Sequence, residues 1–203
     1  MSETQRWISN SQMRLALIVV EDLLGRNGQM AVLRLASLER YVEQPPPDND
    51  RMDVPRGDIT EMFSGIVSMF GEQGARGVFR RWGRAYAERR LRRHVALRLL
   101  RPGLRLLPME RAASLALTRL LHHIDLARGE EVPPIRDDGE YFFVTPDDCV
   151  YCFNQSPAQP NHMIVVGLIE GLLRWATGRD FDVGQDPSDP AVFTIRKRPT
   201  SRR

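Results

Sequence analysis

Hydrophobic residues recur every three or four positions through much of the N-terminal half of the chain, which is the spacing of amphipathic helices. The pattern predicts a first helix over residues 11–24, ended by Gly25, and a second over residues 30–41. Asp58 and Glu61 have the spacing of a capping box, so a third helix is predicted to start there. The chain therefore opens with helices.

An arginine-rich segment continues this pattern. Gly71 and Gly74 allow a turn, and a helix is predicted over residues 75–95 with its apolar side chains at helical spacing. We expect Pro102, Gly103 and Pro108 to interrupt the stretch that follows, before a last amphipathic helix over residues 109–127.

The periodicity changes in the C-terminal third, where short runs rich in aromatic and β-branched residues predict strands. These runs cover residues 141–144, 150–153, 181–183 and 192–196, and one strong helix is predicted between them over residues 162–176. Helices first and strands later favour an α+β class over alternating α/β.

The sequence thus predicts a helical N-terminal half packed on a small antiparallel sheet, with one long helix between strand pairs. A length of 203 residues suits a single domain over residues 1–203, with a core at about 10–197 and a frayed tail at 198–203.

Composition favours a globular cytoplasmic protein. Hydrophobic residues make up 42% of the chain and charged residues 27%, and no apolar run approaches the roughly 18 residues that could span a bilayer. The N-terminal residues lack the basic region of a secretory signal, and two cysteines are too few for a disulfide framework. We therefore expect no integral membrane contact.

The charge is unevenly distributed. Residues 71–105 carry 11 arginines against two glutamates, whereas the whole chain has a net charge of +3. Such a segment can bind nucleic acid or an anionic membrane, but no helix-turn-helix or RNA-binding motif accompanies it. A solvated helix face is the simpler interpretation, and the basic interaction module stays an alternative.

Three stretches carry a resemblance to a known family, in the residue patterns over 23–41, over 69–85 and at Gly167-Leu-Ile-Glu-Gly171. They resemble the 4-vinyl-reductase-type domain of hydrocarbon-binding proteins, which is related in fold to vesicle-tethering TRAPP subunits. The resemblance implies that the helix with the Gly-x-x-Glu-Gly pattern packs on the sheet and helps to enclose an apolar pocket. It also implies a ligand sensor, or a stand-alone factor near tetrapyrrole metabolism, and pairing into a homodimer through helices.

The resemblance and the clustered aromatic side chains together predict the residues that bind a small hydrophobic molecule. The predicted ligand-binding residues are Phe63, Phe79, Trp82, Tyr86, Phe142, Phe153, Met163, Val166 and Glu170. An apolar stripe at helical spacing is also what an ordinary core requires, so core packing is the competing interpretation.

Cys149 and Cys152 form the one candidate metal pair of the sequence. Structural zinc takes four ligands, and the pair supplies two. Members of the resembled family can complete a zinc site with two later cysteines, but residues 186–193 contain none. The sequence therefore favours two thiols on a strand, with no certain cofactor.

Glu170 lies within an otherwise apolar helix, where an unpaired carboxylate would be costly. Arg174 follows four residues later, so an ion pair along the helix is the favoured explanation. Gly167 and Gly171 share a face of that helix, and close packing of the helix on the sheet explains them.

Catalytic motifs are missing from the sequence, which has no Gly-rich phosphate loop, no nucleophile elbow and no His-Glu-x-x-His. We therefore expect a non-enzymatic module that binds a lipid-like, aromatic or tetrapyrrole molecule as sensor or carrier. An accessory factor in tetrapyrrole or bacteriochlorophyll synthesis, with arginines engaging propionates, stays open as a second interpretation.

Overall fold

The computed structural model describes residues 7–127, 135–146, 151 and 162–197, and it confirms the α+β class. Six α-helices and a 3₁₀ turn make up most of this part of the chain. The helices are α1 Asn10–Leu35, α2 Arg40–Glu43, α3 Arg56–Arg93, α4 Val95–Leu106, α5 Met109–Leu120 and α6 His162–Thr177, and the 3₁₀ turn is Leu121–Ile124. Within the described residues, none of the helices combines the length and the hydropathy needed to cross a bilayer.

The strands form two antiparallel sheets. β1 Trp7–Ile8 pairs with β2 Val54–Pro55 in a two-stranded sheet. The second sheet has the order β3-β4-β6-β5 and is built from β3 Arg136–Asp137, β4 Tyr141–Val144, β5 Val183–Gln185 and β6 Phe193–Arg196. Helix α6 therefore lies between two pairs of strands in the sequence, as predicted, but the first pair includes β3, which the sequence did not predict.

The breaks expected at Gly25 and Gly71 are present, but the predicted helix over residues 30–41 is wrong in its bounds, because α1 continues to Leu35 and α2 is a separate turn at Arg40–Glu43. Gly25 interrupts α1 with φ 72°, and Gly71 interrupts α3 with φ 67°, a left-handed conformation that glycine adopts without steric cost. The capping box lies elsewhere than predicted. Ser9 and Gln12 form one at the start of α1, whereas α3 begins at Arg56 without a side-chain cap.

Asp58 was expected to cap α3, and this expectation is wrong because its carboxylate has other donors. Arg40 Nη2 donates to Asp58 Oδ2 over 2.5 Å, and the Tyr41 hydroxyl donates to the same oxygen. Burial and this carboxylate raise the pKa of Tyr41 to about 12. Asp58 thus fixes α2 against the first turn of α3.

The segment after α3 differs most from the prediction. Residues 95–106 form α4 although Pro102 lies inside it, and the predicted helix over 109–127 ends as α5 at Leu120 before the 3₁₀ turn. Of the predicted strands, β4 has the predicted bounds, β6 starts one residue later, and β5 lies two residues further along. The predicted strand over 150–153 and the tail over 198–203 lie outside the described residues, except for Tyr151.

The core is organised around α3, which packs against α6 and α1. Close approach between α3 and α6 depends on glycines, because a Cβ on Gly167 would lie 2.2 Å from the Arg80 carbonyl oxygen, and one on Gly83 would lie 2.3 Å from that of Ile164. Gly171 faces the Arg84 carbonyl in the same way. The expected close packing is therefore real, but the principal partner of α6 is a helix and not the sheet.

Candidate ligand-binding site

Four of the predicted ligand-binding residues form a single aromatic cluster in the core. Phe63 lies edge-on to Phe79 and Trp82, with ring centroids 5.4 and 5.0 Å apart, and Trp82 stacks on Tyr86 at 4.8 Å. Tyr151 completes the cluster, 5.4 Å from the Trp82 ring. All five rings are fully buried, and each contacts at least one other ring of the cluster, as in a packed core.

A carboxylate lies at the polar side of this cluster. Asp125 Oδ2 accepts from the hydroxyls of Tyr86 at 2.7 Å and Tyr151 at 2.9 Å, and its other oxygen accepts from Gln12 Nε2 at 2.7 Å. Burial, together with the charge of Asp125, holds the pKa of both tyrosines well above 10. The polar groups of the cluster thus satisfy one another without a ligand.

The other predicted ligand-binding residues are dispersed. Phe142 and Val166 are buried on β4 and α6, and Lys197 Nζ lies 4.7 Å from the Phe142 ring. Met163 is partly buried, and Arg76 Nη2 lies 3.7 Å from its sulfur. The predicted ligand-binding residue Phe153 and the predicted zinc pair Cys149 and Cys152 lie outside the described residues.

Glu170 is paired, but not with the residue expected. Its side chain is only 4% exposed, and the carboxylate accepts hydrogen bonds from Arg80 Nε at 3.0 Å and Arg84 Nε at 2.5 Å, both on α3. Arg174 instead pairs with Asp180 at 3.6 Å. The prediction of an ion pair between Glu170 and Arg174 along α6 is therefore wrong, because α6 turns Glu170 towards α3. Glu170 joins the two helices beside their glycine contacts.

Metal ligands are not assembled in the described part of the chain, where no group of three or more His, Cys, Asp or Glu side chains is placed to hold an ion. The rings of His94, His122 and His123 do lie side by side in tilted arrangements, with centroids 4.9 and 3.8 Å apart along the series His94–His123–His122. Burial and neighbouring positive charge lower the pKa of His123 to about 4 and also lower that of His94.

An apolar pocket of about 330 Å³ lies between α4, α5 and the end of α6. Its lining is almost entirely leucine, with one indole and one guanidinium. The lining residues are Leu97, Leu100, Gly103, Leu104, Leu107, Leu115, Arg119, Leu120 and Trp175. None of these residues is among the nine predicted ligand-binding residues, although Trp175 is one of the aromatic side chains that the sequence offers as pocket material. The α4 residues were missed because Pro102 and Gly103 were expected to interrupt a helix where α4 in fact forms.

Trp175 connects this pocket to a basic one. Its indole lines the pocket, and within the described residues its buried Nε1 has no hydrogen-bond partner. Trp175 also borders a second pocket of about 550 Å³, where guanidinium groups outnumber carboxylates. That pocket is lined by Glu88, Arg92, Arg101, Arg105, Arg174, Trp175 and Gly178. Apolar and cationic surfaces therefore meet at one tryptophan.

Arg101 lies at this boundary. Its Nε donates to the Trp175 carbonyl at 3.1 Å, and its guanidinium lies 5.8 Å from the indole centroid. Burial and the neighbouring charges of Arg105 and Arg92 lower the pKa of Arg101. The cations at this site repel one another, and an acidic group bound among them would relieve that repulsion.

No family model matches the chain, and no curated protein matches it. Among solved structures, a point variant of Tt H-NOX has a TM-score of 0.51 at 12% sequence identity, over 97% of this chain and 98% of that one. A second solved structure, described as "Modulating Heme Redox Potential Through Protein-Induced Porphyrin Distortion", has a TM-score of 0.48 at 12% identity, over 93% and 95% of the two chains. The first likeness shows a shared fold.

A tetrapyrrole is among the ligands that the sequence left open, so the leucine-lined pocket can be tested for a fit to haem. Haem iron is held in proteins by His, Cys, Met or Tyr side chains. The pocket lining has none of these among the described residues. The pocket therefore does not fit a haem ligated through its iron.

Proposed function

We propose that the protein binds a small hydrophobic molecule without transforming it, as a sensor or carrier module, and that the pocket between α4, α5 and α6 holds this molecule. The observation that carries the proposal is the leucine lining of a pocket of about 330 Å³. Pockets for small ligands are typically of about 300–1,000 Å³, mainly apolar, with few polar groups that fix orientation.

The polar groups at this pocket favour an acidic ligand. Arg119 belongs to the lining, and Arg101 contacts Trp175 at the boundary with the basic pocket. A molecule with an alkyl or aromatic body and a carboxylate would bury the body among the leucines and leave the carboxylate near the guanidinium groups. The proposed ligand class is therefore a small amphipathic acid.

We also propose that the chain belongs to the 4-vinyl-reductase-type family, which implies the same kind of function. A cytoplasmic location and a homodimer are proposals as well. The shared fold with the H-NOX variant agrees with a ligand-binding module. The sequence predicted a ligand site that includes the aromatic cluster, but the rings of that cluster pack against one another. The ligand site proposed here is a different one, because none of the cluster residues lines the leucine pocket.

Titration calorimetry with matched alkyl compounds tests the proposal. Each methylene buried contributes about 0.8 kcal/mol, so octanoate, with four more methylenes, should bind roughly two hundredfold more tightly than butanoate. Octanoate should also bind more tightly than octanol, because the alcohol has no charge to place near the arginines. Equal affinities along the chain-length series would contradict the proposal.

A pair of variants separates the pocket from the rest of the surface. Leu115→Glu places a charge in the pocket lining at a partly exposed position, and it should abolish octanoate binding. Leu99→Glu makes the same change at an exposed position outside the lining and should leave the affinity unchanged. Trp175 fluorescence, with Trp175→Phe as its control, gives a second readout.

A further inference from the structure

Helix α4 carries a second apolar face, which points away from the pocket. Val95, Leu99 and Leu106 are 60%, 77% and 87% exposed. At 3.6 residues per turn they lie within a sector of about 40°, so they form one stripe along the helix. None of the three lines the leucine pocket. Single exposed apolar side chains are common on protein surfaces, but a contiguous row of them is typical of a surface that contacts a protein or a membrane.

A row of arginines flanks this stripe. Arg98, Arg101 and Arg105 recur at spacings of three and four residues, and α4 contains no acidic residue. Within residues 7–127, 135–146, 151 and 162–197, none of these three guanidinium groups forms an ion pair with a carboxylate. In this part of the chain the row therefore consists of cations without a direct carboxylate partner, beside an apolar surface, and Glu88 is the carboxylate that lies near Arg101.

The chemistry of the two rows selects the partner. Phosphates of a nucleic acid would engage the arginines but gain nothing from exposed leucines. A second copy of the chain, packed on the stripe by a two-fold axis, would bring two arginine rows together. The helix is also short, about 18 Å for 12 residues, and a stable interface needs about 800 Å² from each partner.

We propose that α4 docks on the surface of an anionic lipid bilayer, with Val95, Leu99 and Leu106 inserted at the level of the headgroups and Arg98, Arg101 and Arg105 against lipid phosphates. A basic amphipathic helix lies in the membrane interface in this way, through buried apolar area and attraction to anionic lipids. The inserted side chains do not line the leucine pocket, and Arg98 lines neither of the two pockets at Trp175, so changes at these positions test the docking apart from the ligand.

Vesicle co-sedimentation tests the docking. The full chain should sediment with vesicles of phosphatidylcholine and phosphatidylglycerol, be released by raised salt, and stay in solution with phosphatidylcholine alone. The double variant L99E/L106E should lower the bound fraction at least tenfold, because two apolar anchors become anions next to the anionic surface. Replacing Arg98 by Gln should weaken binding to the anionic vesicles by several-fold.

Two controls make the result decisive. The variant L115E should sediment like the wild type, and L99E/L106E should keep the circular dichroism spectrum and the urea midpoint of the wild type, which shows that the fold is intact. Equal sedimentation of L99E/L106E and wild type would overturn the proposal. So would a wild-type dimer in analytical ultracentrifugation that L99E/L106E dissociates, since the stripe would then be covered by a second copy.

Discussion

The contact between α3 and α6 makes a sharp prediction about glycine. Gly83 and Gly77 both lie in α3, but their surroundings differ. A Cβ on Gly83 would lie 2.3 Å from the Ile164 carbonyl oxygen and 2.7 Å from the Leu168 backbone nitrogen, whereas a Cβ on Gly77 meets nothing within 4 Å. Backbone atoms of a packed helix cannot rotate aside as a side chain can, so α6 must shift to admit alanine at residue 83.

The same replacement at the two sites isolates the steric cost. Alanine gains about 1 kcal/mol of helix propensity over glycine at either position. At Gly77 that gain stands alone, and the Gly77→Ala variant should be more stable than the wild type by up to this amount. At Gly83 overpacking costs about 1–3 kcal/mol, or more where the obstacle is backbone. The difference between the two variants is therefore the packing cost itself.

Urea denaturation followed by circular dichroism measures this difference. We expect the Gly83→Ala midpoint to fall below that of Gly77→Ala by an amount equivalent to at least about 1 kcal/mol, with similar m-values. Equal midpoints would refute the inferred helix contact, because propensity alone would then account for both variants. A drop in m-value for Gly83→Ala would point to a loosened native state and not to a shifted helix.

Two further perturbations probe the polar groups of the core. Glu170→Gln removes the charge that Arg80 and Arg84 share, and it should lower the free energy of unfolding by about 1–3 kcal/mol in urea titrations. Arg174→Gln, at the exposed pair with Asp180, is the control and should lower it by under about 1 kcal/mol. The raised pKa of Tyr86 keeps its hydroxyl protonated in the folded state at a pH where tyrosines of the unfolded chain ionise. The free energy of unfolding should therefore fall above about pH 10, by about 1.4 kcal/mol per pH unit for each such tyrosine. Tyr86→Phe should reduce this pH dependence by the contribution of one tyrosine.

Helical periodicity predicted the start of α1, the two parts of α3 and α6 well, because burial of an apolar stripe determines both the pattern and the fold. It did not predict the end of α1 at Leu35 or the separate α2. The same rule failed at α4, where Pro102 removes one backbone donor. Leu97 is buried and Leu104 partly buried in α4, against neighbouring helices, and this tertiary packing outweighs the local cost of the proline. The sequence around Pro102 does not show which distant side chains will pack against α4, so this stabilisation could not be predicted from it.

The site was harder to predict than the fold. Phe79, Trp82 and Tyr86 were expected to line a pocket, but a ring that faces a ligand and a ring that faces other rings have the same periodicity in the sequence. The partners of Glu170 lie 86 and 90 residues away from it, which no spacing rule reaches. Only the packing of α6 on α3 brings those groups together.

The same packing explains why the pocket lies at α4. Helices α3 and α6 are held at backbone contact by Gly83 and Gly167 and joined by Glu170, so the space between them is closed. Helix α4 touches α3, α5 and α6 over few residues and leaves much of its surface exposed. Elements with little burial open at the lowest free energy, and ligand sites form among them. A ligand beside Trp175 would add apolar contacts to the least buried long helix, so its binding should order α4 while the α3–α6 contact stays unchanged.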